Sequence, residues 1–244
     1  MIKIILLLTV LILFTACSED STIDPGVQYH DTIMPLAVDN YWVFADSTFN
    51  PPHEPVVDTT KIGITGFREI TYEGEKHIVY FWNWFRMPEN TPQTLKNWMR
   101  NEEEGLIYYG QQIGSWTSDV NRILFLKYPA EVGDEWAYTD AFTIRCVSTS
   151  SNFSTPLGDF DCIVYRVIPN ESNRDESSIL LTGSNTSVPQ RDEEVRHLYF
   201  APEFGYIGET TTVNGELKAT KTLVDYNVQI PEERLSLPDR LLSP

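Results

Sequence analysis

Pro129 to Tyr138, PAEVGDEWAY, decides how this chain is read, because Pro35 to Phe44, PLAVDNYWVF, follows the same plan. Pro, Val and Trp hold the same three places, and an aromatic residue closes each run. In both, a two-residue turn (Asp39-Asn40, Gly133-Asp134) stands just ahead of a Trp-bearing strand. A second pair of stretches lies downstream in the same order. NWMRNEEEGLIYYG ends at Gly110, RHLYFAPEFGYIGE ends at Glu209, and Gly105 answers Gly205. Two markers in matching order point to an internal repeat, which bears on architecture and not on chemistry.

Between these markers the pattern is strand after strand. Lys61–Thr71 and Lys76–Arg86 flank Tyr72-Glu73-Gly74-Glu75, a hairpin with Gly placed for positive φ. Trp98–Asn101 and Leu106–Gly110 flank a second Gly-terminated turn, and Thr155-Pro156-Leu157-Gly158 has the corresponding part in the second half. Trp136–Val147, Asp161–Ile168, Val195–Phe200, Tyr206–Val213 and Leu217–Val228 continue the series. Thr91-Pro92 could instead start a helix with Leu95, Trp98 and Met99 on one face. The matching stretch Leu198–Phe200 reads as strand and decides against it. The expected fold is all-β: one large, curved, mainly antiparallel sheet, half-barrel or barrel-like, built from two related halves.

The amino terminus has a signal-peptide layout. Lys3 supplies a positive charge, Ile4–Phe14 form an apolar run too short to span a bilayer comfortably, and small residues precede Cys17. Phe14-Thr15-Ala16-Cys17 resembles a bacterial lipobox, with Phe14 where Leu is usual; the resemblance implies cleavage before Cys17 and its acylation. Ser18-Glu19-Asp20 resembles the surface-export signal of Bacteroidetes lipoproteins. The expected divisions are a leader (1–16), a polar tether (17–29), a single β domain (30–230, halves about 30–118 and 119–230) and a carboxy-terminal tail (231–244). The expected location is the outer membrane, lipid-anchored, and the membrane is the one partner the sequence names.

PLAVDNYWVF, PAEVGDEW, PLGDFDCIVYRV and YFAPEFGYIGE together resemble a Bacteroidetes-type family of outer-membrane lipoproteins of unknown function. Its pattern is Pro-Leu-x-Val-Gly-Asn-x-Trp-x-Tyr early and Tyr-Phe-Ala-Pro-Gly-x-Gly late; here Asp39 replaces the usual Gly and Phe204 crowds the late turn. The resemblance implies secretion, lipidation and an all-β fold. It brings no catalytic residues with it.

Composition excludes one partner class. A formal net charge of −17 leaves no basic footprint for nucleic acid. His30, His53, His77 and His197 have no zinc-pair spacing, and no nucleophile elbow or phosphate loop accompanies them. Glu102–Glu104, Asp159 with Asp161 and Asp192–Glu194 could serve glycoside hydrolysis, but in a chain this acidic the solvated-turn reading wins. No cofactor, metal site or catalytic residue is expected, and no residue pattern names a reaction. Cys146 and Cys162 lie at equal distances from Ser154, so a hairpin centred there would set them opposite each other as a candidate disulfide.

Aromatic residues supply the remaining candidates. In Tyr80-Phe81-Trp82-Asn83-Trp84-Phe85 alternate residues face opposite sides, so Tyr80, Trp82 and Trp84 share a face and, with Trp98, are candidate ligand-facing aromatics. Asp-Ser/Thr pairs at Ser21, Thr32, Ser47 and Thr59 resemble Bacteroidetes O-glycosylation sites. Three roles follow as expectations: a non-catalytic envelope protein with a binding or structural role, a carrier of lipid or another apolar ligand in a β concavity, and a surface protein that binds or hydrolyses glycans. The protein or glycan partner stays unknown.

Overall fold

The computed structural model describes residues 32–49, 53–87, 91–170 and 194–229. Thirteen strands, and no helix among the described residues, form one antiparallel sheet that is not closed. They are β1 (Tyr41–Thr48), β2 (Val56–Tyr72), β3 (Glu75–Arg86), β4 (Thr91–Glu102), β5 (Gly105–Ile113), β6 (Trp116–Thr117), β7 (Ile123–Lys127), β8 (Glu135–Thr139), β9 (Phe142–Thr155), β10 (Gly158–Pro169), β11 (Glu194–Ala201), β12 (Gly205–Val213) and β13 (Glu216–Asn227). The stretch Thr91–Glu102 is strand, as the partner stretch suggested. Trp136–Val147 is not one strand: a turn at Asp140-Ala141 divides it into β8 and β9.

The first half runs as a meander from β1 to β5, the second as a meander from β8 to β13, and β1 pairs with β13 to join them. β5 carries two short partners on its outer edge, β6 near its end and β7 near its start. The seam between β7 and β8 lacks strand pairing. Side chains bridge it instead: Trp136 Nε1 donates to the Phe125 carbonyl (3.3 Å), Tyr165 Oη to the Lys127 carbonyl (2.8 Å), and Lys127 pairs with Asp134.

The two Trp-bearing openings have the same local geometry. Asp39 and Gly133 both take positive φ (73° and 97°). Asp39 N donates to Ile64 O and Ile64 N to Asn40 O; Gly133 N donates to Cys146 O and Cys146 N to Asp134 O, all within 2.8–2.9 Å. Each opening also docks on the opposite half. Glu203 N, at the β11–β12 turn, donates to Thr32 O, and Tyr128 N donates to Glu104 O at the β4–β5 turn.

Alternating strand direction sorts the connections onto two rims. The turns β2–β3, β4–β5, β9–β10 and β11–β12 share one rim with residues 32–40 and 128–134. The ends of β1, β3, β5, β8, β10 and β12 and the starts of β2, β4, β6, β9, β11 and β13 lie at the other rim. The first rim is plugged. Ile33, Met34 and Leu36 are fully buried there, and the Met34 carbonyl accepts from Asn101 Nδ2 of β4 (2.7 Å) while its sulfur packs near Gly205 of β12. Burying each such side chain contributes about 1.5–3 kcal/mol, so this strap holds the two meanders together. The sheet is therefore a cup whose floor is residues 32–40 and whose other rim is left open by the described residues.

The main core fills the cup, with Trp42, Phe44, Ile62, Leu126, Ile144, Tyr165, Phe200 and Leu223 almost fully buried. A smaller cluster (Ile70, Val79, Trp98, Ile107, Tyr109) lies on the outer face of β2–β5, covered by Val120 and Leu124.

Cys146 and Cys162 are both buried and free, which corrects the expected disulfide. The β9–β10 turn falls at Pro156-Leu157, not at Ser154, so Cys162 faces Ser151 and Cys146 faces Tyr165. A shift of the hairpin centre by a few residues separates the two thiols along the strands. Burial raises the Cys162 thiol to about 12 and pushes Cys146 up as well.

Candidate functional site

Above the plugged floor the core is incomplete. A cavity of about 280 Å³ remains between the inner faces of the two halves. Trp82 and Trp84 of β3 and Phe125 of β7 line one side, and Ile144, Val167, Leu198, Phe200 and Tyr206 of β9–β12 line the other. Phe142, Pro169 and Glu194, each at a strand end on the open rim, stand at its mouth. The period-2 rule puts Tyr80, Trp82 and Trp84 on one face, and all three belong to the inner core.

The candidate aromatics thus separate. Trp82 and Trp84 line the cavity; Tyr80 is buried beside them with its ring tilted against Phe67. Trp98 is corrected to the opposite face: its register partner is Phe81, not Trp82, so it joins the outer cluster beneath the Arg68 guanidinium. Trp82 Nε1 is buried and has no protein hydrogen-bond partner. A buried unsatisfied donor costs about 1–3 kcal/mol.

The upper wall is charged. Asp46, Lys221 and Glu209 are consecutive register partners across β1, β13 and β12, on the inner face shared with Leu198. Lys221, with about a tenth of its side chain exposed, pairs with Asp46 and donates to Thr60 Oγ1 (3.0 Å). Its ammonium also lies 5.2 Å from the Trp84 ring centroid. Arg196 donates through Nη2 (2.5 Å) and Nε (3.1 Å) to Glu209 Oε2, which also accepts from Tyr206 Oη (2.5 Å). Burial, with the Glu209 charge behind it, pushes the Tyr206 hydroxyl well up, so it stays a neutral donor. Carboxylates and bases thus alternate from β1 to β11 along one wall. Buried charges persist only when paired in this way. No sequence motif marked this row, because its members come from four separate strands.

Other candidates fall elsewhere. Cys17, Ser21 and His30 lie outside the described residues. The Thr32 hydroxyl is buried, which withdraws it as a glycan acceptor in the folded chain. Ser47 and Thr59 sit half-buried in paired strands rather than in loops. Among the described residues no group of three or more His, Cys, Asp and Glu side chains is arranged to hold a metal ion.

His77 belongs to an outer-face network. Its ring packs against Tyr72 and Tyr109, which also meet each other edge-on, and its Nδ1 lies 2.7 Å from Arg100 Nη1. Glu102 accepts from Tyr109 Oη (2.5 Å) and from Arg122 (2.8 Å), and Arg122 also pairs with Glu104. Burial alone would raise the Glu102 carboxyl, but Tyr109 and Arg122 outweigh it and hold the group below its usual 4.5. A lowered folded-state value means stabilisation that is present above the unfolded value and lost as pH falls through the folded one. Glu102→Gln should therefore cost about 1–2 kcal/mol at neutral pH, allowing for partial exposure. Urea titrations should show the difference shrinking below the usual carboxylate range; a gap that stays constant to acid pH would contradict this account.

No family model matches the chain, and no curated protein matches it. Two solved structures are similar in outline. One is a candidate exported protein with a YmcC-like fold from Bacteroides fragilis, at 11% identity and a TM-score of 0.41, covering 80% of this chain and 98% of that one. The other is a candidate lipoprotein from Parabacteroides distasonis, at 12% identity and a TM-score of 0.44, covering 81% and 99%. Neither likeness assigns a role to any residue.

Proposed function

We propose that this chain is a lipid-anchored cell-envelope protein whose β cup binds one apolar or amphipathic ligand, without a catalytic role. The cavity carries the reading: an apolar chamber of about 280 Å³, at the lower end of the range for small-molecule sites. Its walls are Trp, Phe, Leu, Ile and Val, suited to a slim hydrocarbon chain. The charged row above it, of which Arg196 lines the cavity, favours a ligand with a polar end over a plain hydrocarbon. Enclosure of Trp82 and Trp84 in the chamber favours this over an exposed sugar-stacking platform.

Two measurements test the parts separately. Native mass spectrometry and fluorescent fatty-acid titration test the cup. Val167→Trp, at a half-buried wall position, should fill the chamber and weaken binding at least about tenfold, equivalent to about 1.4 kcal/mol. Absence of both a co-purifying ligand and fatty-acid uptake by the unsubstituted protein would remove the carrier reading. The anchor rests on the leader and Cys17. Metabolic labelling with an alkyne palmitate should mark the protein and not Cys17→Ala, although Cys146 and Cys162 remain; equal labelling of both would rule out Cys17 as the acceptor.

A further inference from the structure

The cavity wall is graded along one strand. β11 starts at Glu194 and runs toward the plugged floor, and its alternate residues Glu194, Arg196, Leu198 and Phe200 all line the chamber. Depth therefore sorts this wall by polarity: a guanidinium comes first, and Leu198 and Phe200, both buried, lie floorward of it. The two cations of the charged row are not equivalent. Lys221 is used up: it pairs with Asp46, donates to Thr60 Oγ1 and lies against the Phe44 and Trp84 rings, with 11% of its side chain exposed. Arg196 keeps 42% of its side chain exposed, against 16% for its partner Glu209. Its hydrogen bonds explain the difference. Nε and Nη2 both donate to Glu209 Oε2, which occupies one edge of the guanidinium. Nη1 has no hydrogen-bond acceptor among the described residues, so the second edge, formed by Nη1 and the other Nη2 hydrogen, is left free on a side chain that lines the chamber.

We infer that the free edge of Arg196 is the head-group site of the cup and that the ligand's polar end is a carboxylate on a single hydrocarbon chain. Two parallel N–H groups on one guanidinium edge match the two oxygens of a carboxylate. The chain then lies floorward over Leu198 and Phe200, facing Trp82 and Phe125 on the other wall. Charge limits the head. Asp46 offsets Lys221 and Glu209 offsets Arg196, while Glu194 adds a carboxylate with no ion-pair partner among the described residues. A doubly charged phosphate monoester would meet net repulsion there. An ammonium head finds no open carboxylate beside Arg196, since Glu209 already accepts from Arg196 and from Tyr206 Oη. A chamber of about 280 Å³ is also too small for a lipid with two acyl chains. Glu209 is a positioning residue, because its two bonds from Arg196 fix the guanidinium plane and so the direction of the free edge. The inference rests on the cup reading, which supplies the chamber for the hydrocarbon chain.

Isothermal titration of the delipidated protein with decanoate, decanol and decylphosphocholine, whose chains are of equal length, tests the head group. Decanoate should bind at least about tenfold more tightly than either of the others. Arg196→Gln combined with Glu209→Gln removes both charges without stranding one of them. It should bring decanoate down to the affinity of decanol and leave decanol unchanged. Lys221→Gln with Asp46→Asn, at the closed pair, should keep the preference for the acid. If the Arg196 and Glu209 double variant loses decanol as well, Arg196→Lys decides, because it keeps the charge and lacks the fork. It should bind decanol normally and cut the preference for the acid at least about threefold. Decanol or decylphosphocholine binding as tightly as decanoate overturns the inference and leaves the cup reading standing. A preference for the acid that persists undiminished in the Arg196 variants overturns it too. If none of the three ligands binds, the cup reading falls and the inference falls with it.

Discussion

Gly105→Ala should leave little folded protein, and Gly205→Ala should be destabilised but foldable. Gly105 opens β5 at φ +136°, and a Cβ there would overlap the Leu126 carbonyl oxygen and come within 2.7 Å of Tyr128 N. Both are backbone atoms held in place, Leu126 by the β5–β7 ladder and Tyr128 by its hydrogen bond to Glu104 O. Relief requires parting β7 from β5, and with it the seam that closes the cup. A loss above about 4 kcal/mol is expected, in the range reserved for gross steric conflict. At Gly205 (φ +87°) the nearest atom is Met34 Sδ at 2.5 Å, the movable end of a flexible side chain, followed by Pro35 Cδ at 3.1 Å and Trp42 Cζ2 at 3.3 Å. Backbone strain and partial repacking there should cost about 1–3 kcal/mol. Urea denaturation followed by tryptophan emission measures both. A Gly105→Ala midpoint indistinguishable from that of the unsubstituted protein would show that β7 is not fixed as described.

These glycines also show how far the sequence could be read. Gly105 and Gly205 were visible as matching positions, and so were the turns at Asp39 and Gly133, because turn geometry is local and needs particular residues. The strap was not visible: nothing in Ile33-Met34-Pro35-Leu36 says that it crosses from β4 to β12. Register was the weakest part. The disulfide expectation failed through a displaced hairpin centre, since Thr155 and Gly158 fit the ends of a tight turn that equal spacing about Ser154 ignored. Trp98 failed for a related reason. Trp98 and Met99 are adjacent and both buried, in different clusters on opposite faces, and a bulge between them breaks the ladder; hydrophobicity alone cannot choose the inward one. The cavity was half legible. β3 announced an aromatic wall, whereas Arg196, Glu209, Lys221 and Asp46 become neighbours only when β13 pairs with β1.

The matched tryptophans should differ sharply in what they hold, although the sequence sets them in equivalent places. Trp42 is fully buried, and its Nε1 donates to the Phe204 carbonyl at 2.7 Å, tying β1 to the β11–β12 turn of the other half. Trp136 is half-buried at the seam, with a longer bond (3.3 Å) to the Phe125 carbonyl and an edge-on contact with Tyr165. Removing a buried aromatic side chain costs about 3–5 kcal/mol, and loss of the indole donor strands the Phe204 carbonyl in a turn packed on Tyr226 and Phe160. Trp42→Ala should therefore prevent stable folding, and Trp42→Phe, which keeps most of the volume, should isolate the hydrogen bond at about 1–3 kcal/mol. Trp136→Phe should cost under about 1 kcal/mol, because water can reach the carbonyl it leaves. Guanidinium denaturation of the two Phe variants decides the matter. Equal losses would mean that the β7–β8 seam is as tightly sealed as the β1–β13 junction, and the cup would then be better described as a closed barrel.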